Sequence, residues 1–147
     1  MKTIDIPPVW LLACLVLAWW LEGLAPGLGF GAWARWAGPI LVVAGLALLA
    51  AAIVAFRRAN TTIHPHGDPS AIVTSGIFRY SRNPIYLGDT LVLAGLILRW
   101  DAVLALPLIP AFVWVIHVRF IRPEERRLER AFPSEFDAYR AATRRWI

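Results

Sequence analysis

Between Trp36 and Phe56 the chain runs about 20 residues without a charged side chain. A helix of that length matches the hydrocarbon core of a bilayer, about 30 Å thick. Three more apolar segments accompany it, roughly Pro8 to Leu21, Ile85 to Leu98 and Ala102 to Val118. The first and third are short for a full span, so they extend into their flanks or are partly covered by protein. Hydrophobic residues make up 59% of the chain and charged residues 17%, a balance too apolar for an ordinary soluble domain. The pattern predicts an all-α, polytopic membrane protein with about four transmembrane helices. The 147 residues suffice for one domain, with two helices in residues 1–58 and the remainder in 59–147.

The connections sharpen this picture. A Gly/Pro-rich turn from Gly23 to Gly31 joins the first two segments, and the short link Arg99-Trp100-Asp101 joins the third and fourth. So short a link predicts an antiparallel helix hairpin. Pro107 and Pro110 are expected to bend the fourth helix, because each removes a backbone donor and crowds the preceding turn. Thirteen of the fifteen basic residues fall on one side of a four-span arrangement, and only Arg35 and Arg99 fall on the other. The positive-inside rule then places both termini, the central loop and the tail in the cytoplasm. The start is read as a retained helix, since Asp5, Pro7 and Pro8 interrupt any signal-peptide pattern. A net charge of +5 invites a nucleic-acid partner, but the basic residues gather beside apolar runs, where anionic lipid headgroups lie. No Cys/His spacing suits a metal, and the one cysteine, Cys14, reads as a small buried filler.

Chemistry concentrates in Ile72–Asp89, IVTSGIFRYSRNPIYLGD, which sets Gly76, Arg79, Arg82, Asn83, Pro84, Tyr86 and Asp89 between two apolar stretches. Polar groups at a membrane boundary are costly and mark sites. A second polar segment follows the last apolar run. Pro123-Glu124-Glu125 suits the first turn of a helix, where proline fits and acids face the positive dipole end. Pro133 ends that helix, and Ser134 with Asp137 reads as a capping box for another. The tail is thus expected to form two short amphipathic helices, with Phe136, Tyr139 and Trp146 on an apolar side.

These residues resemble the isoprenylcysteine carboxyl methyltransferase family, whose wider group includes phospholipid N-methyltransferases. The likeness rests on Arg82-Asn83-Pro84-Ile85-Tyr86 and, some 40 residues on, Glu124-Glu125, and covers about Thr61 to Ile147. Residues 59–147 are accordingly expected to form a methyltransferase-like core. The resemblance implies S-adenosylmethionine as cofactor, bound without a Rossmann domain, and a lipophilic or lipid acceptor. Its cofactor contacts map onto Ser70, Ala71, Ile72 and Val73, onto Phe78, onto Asn83, Pro84, Ile85 and Tyr86, and onto Glu124 with its neighbour Glu125. Its substrate arginine falls at Arg119 or Arg122. The first reading is accordingly a methyltransferase of a bacterial inner membrane.

The bare chemistry agrees with this. Glu124 can pair with the donor's ammonium, Arg82 with its carboxylate, and Tyr86 and Phe78 with its adenine or sulfonium. Asp89 or His64 can assist if the acceptor is an amine or hydroxyl. His64 and His66 lie in a Pro-rich loop and read as lid residues rather than metal ligands. Each reading has a plainer rival: helix-start acids for Glu124 and Glu125, headgroup anchors for Arg79 and Arg82, a helix start for Pro84. Two other functions stay open. One is a membrane reductase of the steroid-reductase kind, using NADPH. The other is a non-enzymatic lipid-binding scaffold.

Overall fold

A computed structural model describes residues 5–25, 27–59 and 71–147. Ser70, His64 and His66 lie outside the described residues. Every regular element among the described residues is helical. Helix α1 spans Pro7–Glu22, α2 Ala34–Arg58, α3 Pro84–Arg99, α4 Leu108–Ile116, α5 Arg122–Ala131 and α6 Pro133–Ala142. Three of these, α1, α3 and α6, carry proline in their first two positions, where a missing N–H costs nothing, whereas Pro123 of α5 follows a π turn with no break in the helix. Two stretches are long and apolar enough to cross a membrane: α2, and the run Val103–Ala131. At 16 residues, α1 is a shorter apolar helix.

Glycine sets the geometry of the central pair. A Cβ on Gly38 would come within 2.6 Å of the Gly95 carbonyl oxygen, and one on Gly45 within 2.6 Å of the Gly88 oxygen. The reverse approaches, Gly95 to Gly38 and Gly88 to Gly45, are 2.6 and 2.9 Å. The pairing runs in opposite directions along the two helices, so α2 and α3 are antiparallel. Each helix repeats its glycine after seven residues, which keeps the small positions on one seam. Ala52, fully buried, extends that seam on α2. Close backbone approach without side chains gives this pair its dispersion contacts.

Two apolar clusters flank the pair. One gathers Ala18 of α1, Tyr86, Leu93 and Ile97 of α3, and Phe112, Ile116 and Phe120 beyond α4's start. The other gathers Ala52 and Ala55 of α2, Val73, Phe78, and Phe136 and Tyr139 of α6. Ile85 packs against both. Cys14 is partly buried against the first cluster, in keeping with a filler role. The outer faces of α1 and α2 stay apolar and exposed, with Leu12, Val16, Ile40, Val43 and Leu46 outward, as a lipid environment requires.

Two expectations need correction. Pro107 and Pro110 do not bend the fourth helix in mid-course. Pro107 is the residue before α4 and Pro110 lies in its first turn, where N–H groups have no helical partner anyway. The irregularity comes later, as a π turn at His117–Ile121. Its cause is Pro123, which cannot donate and whose ring crowds the carbonyl four residues back, so the ladder widens and the Arg122 N–H bonds to the His117 oxygen. The second correction concerns Ser134. No side-chain cap bond forms at α6, because the helix already starts at Pro133 and Ser134 sits inside it.

The link after α3 is longer than the three residues Arg99-Trp100-Asp101 suggest: it passes through a short 3-10 turn at Val103–Ala105 before α4 starts at Leu108. Asp101 takes φ 61°, a conformation that aspartate tolerates better than most residues. Its carboxylate accepts the Phe30 N–H at 2.7 Å, tying the link to the turn before α2. This marks one end of the molecule. The other end collects the start of α1, the end of α2, the start of α3 and the polar segment around the π turn.

Candidate functional site

At that second end, Pro84 starts α3 and so fixes the direction of Tyr86, two residues on in the first turn. The Tyr86 ring is 6% exposed and lies against Phe120, with centroids 6.5 Å apart. Its hydroxyl donates to Glu124 Oε1 at 2.7 Å. Residues 38 positions apart are thus joined by a short charge-assisted bond in a half-buried place. Asp89 follows Tyr86 by three residues, on the same face of α3, and is 7% exposed. Among the described residues it has no hydrogen-bond partner, and burial of a carboxylate there is costly.

Glu125 faces differently from Glu124, about 100° around the helix. It receives two arginines. Arg82 reaches Glu125 Oε1 through Nε and Nη2, both at 3.3 Å. Arg145 makes a two-pronged contact, Nε to Oε1 at 3.1 Å and Nη2 to Oε2 at 2.7 Å. That hydrogen bonding holds the Arg145 guanidinium above its already high ordinary pKa. Arg82 Nη1 also donates to the carbonyls of Arg140, at 3.2 Å, and of Thr143. Arg82 and Glu125 therefore serve the fold as fasteners, with side chains 9% and 15% exposed.

The tail folds back over the polar segment. The Tyr139 hydroxyl donates to the Phe78 carbonyl at 2.7 Å, and burial pushes its phenol pKa up. The Arg82 N–H donates to the Arg144 carbonyl at 3.0 Å, and Asn83 Nδ2 donates to the Arg145 carbonyl at 2.9 Å. The Phe78 ring packs edge-on against Phe56, centroids 5.2 Å apart. Val73 lies buried beside it, while Ala71 and Ile72 are half-buried. A hollow of about 600 Å³ opens between this segment and α6, lined by Ile72, Thr74, Arg79, Glu135, Tyr139 and Thr143.

The structure joins Tyr86 to Glu124, sets Asp89 on the same face of α3, and joins Arg82 to Glu125 and Asn83 to the tail, while Phe78 packs in the other cluster with Phe56, Phe136 and Tyr139. It sets the two substrate-arginine candidates apart from them. Arg119 pairs with Asp5 at 2.7 Å and lies over the Trp10 ring at 5.4 Å, half exposed. Arg122 is exposed on the outer side of α5. One residue escaped the sequence reading. Arg127 lies on Glu124's side of α5, within electrostatic reach of Tyr86, with Nε donating to the Pro123 carbonyl at 3.3 Å. Its three-residue spacing from Glu124 was the available signal.

Glu124 and Arg127 set a carboxylate and a guanidinium on one side of α5, while Val73 and Phe78 lie buried in the apolar cluster with Phe136 and Tyr139 of α6. Residues 33–135 match the family model described as phospholipid methyltransferase. That match includes α2, which carries none of the motifs, and ends inside α6. No curated protein and no solved structure matches the chain.

Proposed function

Since this chain belongs to the phospholipid methyltransferase family, we propose that it transfers a methyl group from S-adenosylmethionine to the amine or carboxylate of a lipid-like acceptor at a membrane face. The observation that carries this reading is the Tyr86–Glu124 bond, which joins the two separated motifs at one point. The donor supplies an electrophilic methyl carbon, and its sulfur leaves as a neutral thioether with the bonding electron pair. Glu124, held by Tyr86, binds the donor's ammonium. Arg127 binds its carboxylate, in place of Arg82, which Glu125 and the tail carbonyls already engage. The apolar segment around Val73 and Phe78 excludes water from the adenine side. Alignment of nucleophile, carbon and sulfur is the protein's main contribution, and alignment supplies roughly 7–11 kcal/mol. A carboxylate acceptor gives up no proton. An amine does, and Asp89 is the group placed to take it.

Under this reading four helical passes cross a bacterial inner membrane, with both termini and the site on the cytoplasmic side. The arginine-rich end of the molecule supports that orientation. The acceptor enters sideways between helices, and Arg119 or Arg122 meets its headgroup. The reductase reading has no comparable support, since the family match concerns methyl transfer.

Calorimetry on purified protein in nanodiscs tests the proposal, followed by transfer of radiolabelled methyl into a total lipid extract. Binding of S-adenosylmethionine, with label recovered in one lipid fraction, is expected. Binding of NADPH in its place would overturn the assignment.

A further inference from the structure

We infer that residues 136–147, which lie beyond the family match, complete the site as a strap locked by Arg145 on Glu125. Arg145 is then a positioning residue for Glu124. The positioning role rests on the donor reading above, whereas the strap rests on geometry alone.

Besides the Arg82 guanidinium on the Arg140 and Thr143 carbonyls, five links join the strap to the turn before α3. The Tyr139 hydroxyl binds the Phe78 carbonyl at 2.7 Å, and Thr143 Oγ1 binds the Arg79 carbonyl at 3.5 Å. The Arg144 carbonyl accepts the Arg82 N–H at 3.0 Å. The Arg145 carbonyl accepts from Asn83 Nδ2 at 2.9 Å and from Ser81 Oγ at 3.5 Å. These bonds bridge 61 to 64 positions of sequence, so they fix the turn by tertiary contact and not by local structure. The strap's end is then pinned a second time, by the Arg145 guanidinium on Glu125 at 2.7 and 3.1 Å.

Glu125 is where the strap meets the chemistry. It is adjacent to Glu124, so whatever fixes the rotation of α5 at Glu125 also fixes where Glu124 points. Arg82 holds Glu125 from the α3 side and Arg145 from the strap side. With Arg145 gone, the Arg82–Glu125 pair persists, but Glu125 Oε2 loses its 2.7 Å donor. The carboxylate is only 15% exposed, so water replaces that donor poorly. The strap's end and the rotation of α5 both loosen.

The experiment compares the intact full chain with Arg145→Gln, Arg145→Lys and, as a control on the outer face of α5, Arg126→Gln. Two readouts are taken in nanodiscs: amide hydrogen exchange across residues 78–83 and 122–131, and calorimetric affinity for S-adenosylhomocysteine, the demethylated donor. In Arg145→Gln, exchange in both segments accelerates and affinity falls about ten-fold, the loss of one charged hydrogen bond. Arg145→Lys restores part of both, and Arg126→Gln changes neither. Unchanged exchange in Arg145→Gln overturns the strap. Faster exchange with unchanged affinity overturns the positioning role. If the unaltered protein has no affinity for the probe, the donor reading fails, and the exchange result still decides the strap.

Discussion

Replacing Gly45 by alanine probes the link from helix packing to the site. The added Cβ would lie 2.6 Å from the Gly88 carbonyl oxygen, 2.9 Å from Val92 Cγ2 and 3.1 Å from the Val92 nitrogen. Two of those three atoms are backbone, so no rotamer change relieves them, and trimming Val92 to alanine removes only the middle contact. The helices must separate by several tenths of an ångström. Overpacking of this kind costs about 1–3 kcal/mol. Against it stands the gain in helix propensity from Gly to Ala, at most about 1 kcal/mol. The backbone clash wins, and the thermal midpoint falls by several degrees, on the order of 2–4 °C per kcal/mol for a chain of this size. Gly88 is two residues past Tyr86, so separation here also draws Tyr86 from Glu124 and weakens donor binding. Gly38→Ala carries a similar clash, 2.6 Å to the Gly95 oxygen, at the end far from the site. It should cost stability and spare donor affinity. Gly23→Ala is the control: its nearest neighbour lies at 3.5 Å, its φ is −64°, and it should hold or raise the midpoint. Thermal unfolding in detergent, followed by tryptophan fluorescence, reads all three. A Gly45→Ala midpoint at or above that of the parent chain would refute the argument that backbone contact, not side-chain packing, joins α2 to α3.

Tyr86→Phe should weaken donor binding by roughly 10–100-fold, because Glu124 loses a charge-assisted bond of about 1.5–3 kcal/mol, and Glu124→Gln should do at least as much; calorimetry checks both. Tyr139→Phe strands the Phe78 carbonyl in a buried place and should lower stability by about 1–3 kcal/mol, read as a lower thermal midpoint. At Asp101, asparagine tolerates the left-handed backbone and keeps an acceptor for the Phe30 N–H, so Asp101→Asn should be mild. Asp101→Val should lower the midpoint clearly, since a β-branched residue resists φ 61° and offers no acceptor. Asp5→Asn loosens an exposed pair with Arg119 and should change stability by no more than about 1 kcal/mol in the same unfolding assay.

Much of this architecture is legible in the sequence because it depends on local chemistry. The charge-free run from Trp36 to Phe56 lies within α2, and prolines 84 and 133 stand at the helix starts they favour. The Arg-Asn-Pro-Ile-Tyr segment and the Glu pair are recognisable as polar groups at apolar boundaries, and they do meet. What the sequence hides is tertiary choice. Gly38, Gly45, Gly88 and Gly95 read as weak helix formers until their seven-residue spacing is matched across two helices. Arg82 reads as a donor ligand because an arginine in a site is unassigned until its partner is seen, and that partner proves to be Glu125. Tail residues 143–145 carry no periodicity at all, yet supply carbonyls to Arg82 and Asn83.

The division of labour between Glu124 and Glu125 follows from one proline. Adjacent helical residues point about 100° apart, so a pair of acids can serve two partners only if the helix arrives with the right rotation. Pro123 forces the preceding turn into π geometry, with the Arg122 N–H reaching five residues back to His117. One residue is thereby added to a turn, and everything after it rotates by about 100° relative to an uninterrupted α-helix. In the rotated register Glu124 meets the Tyr86 hydroxyl, Glu125 meets Arg82 and Arg145, and Leu128 packs beneath α6. In the unrotated one, the acids would shift by a whole position around the axis, and Glu124 would lose Tyr86. The proline that starts α5 is for this reason part of the site, although it touches none of the reacting groups.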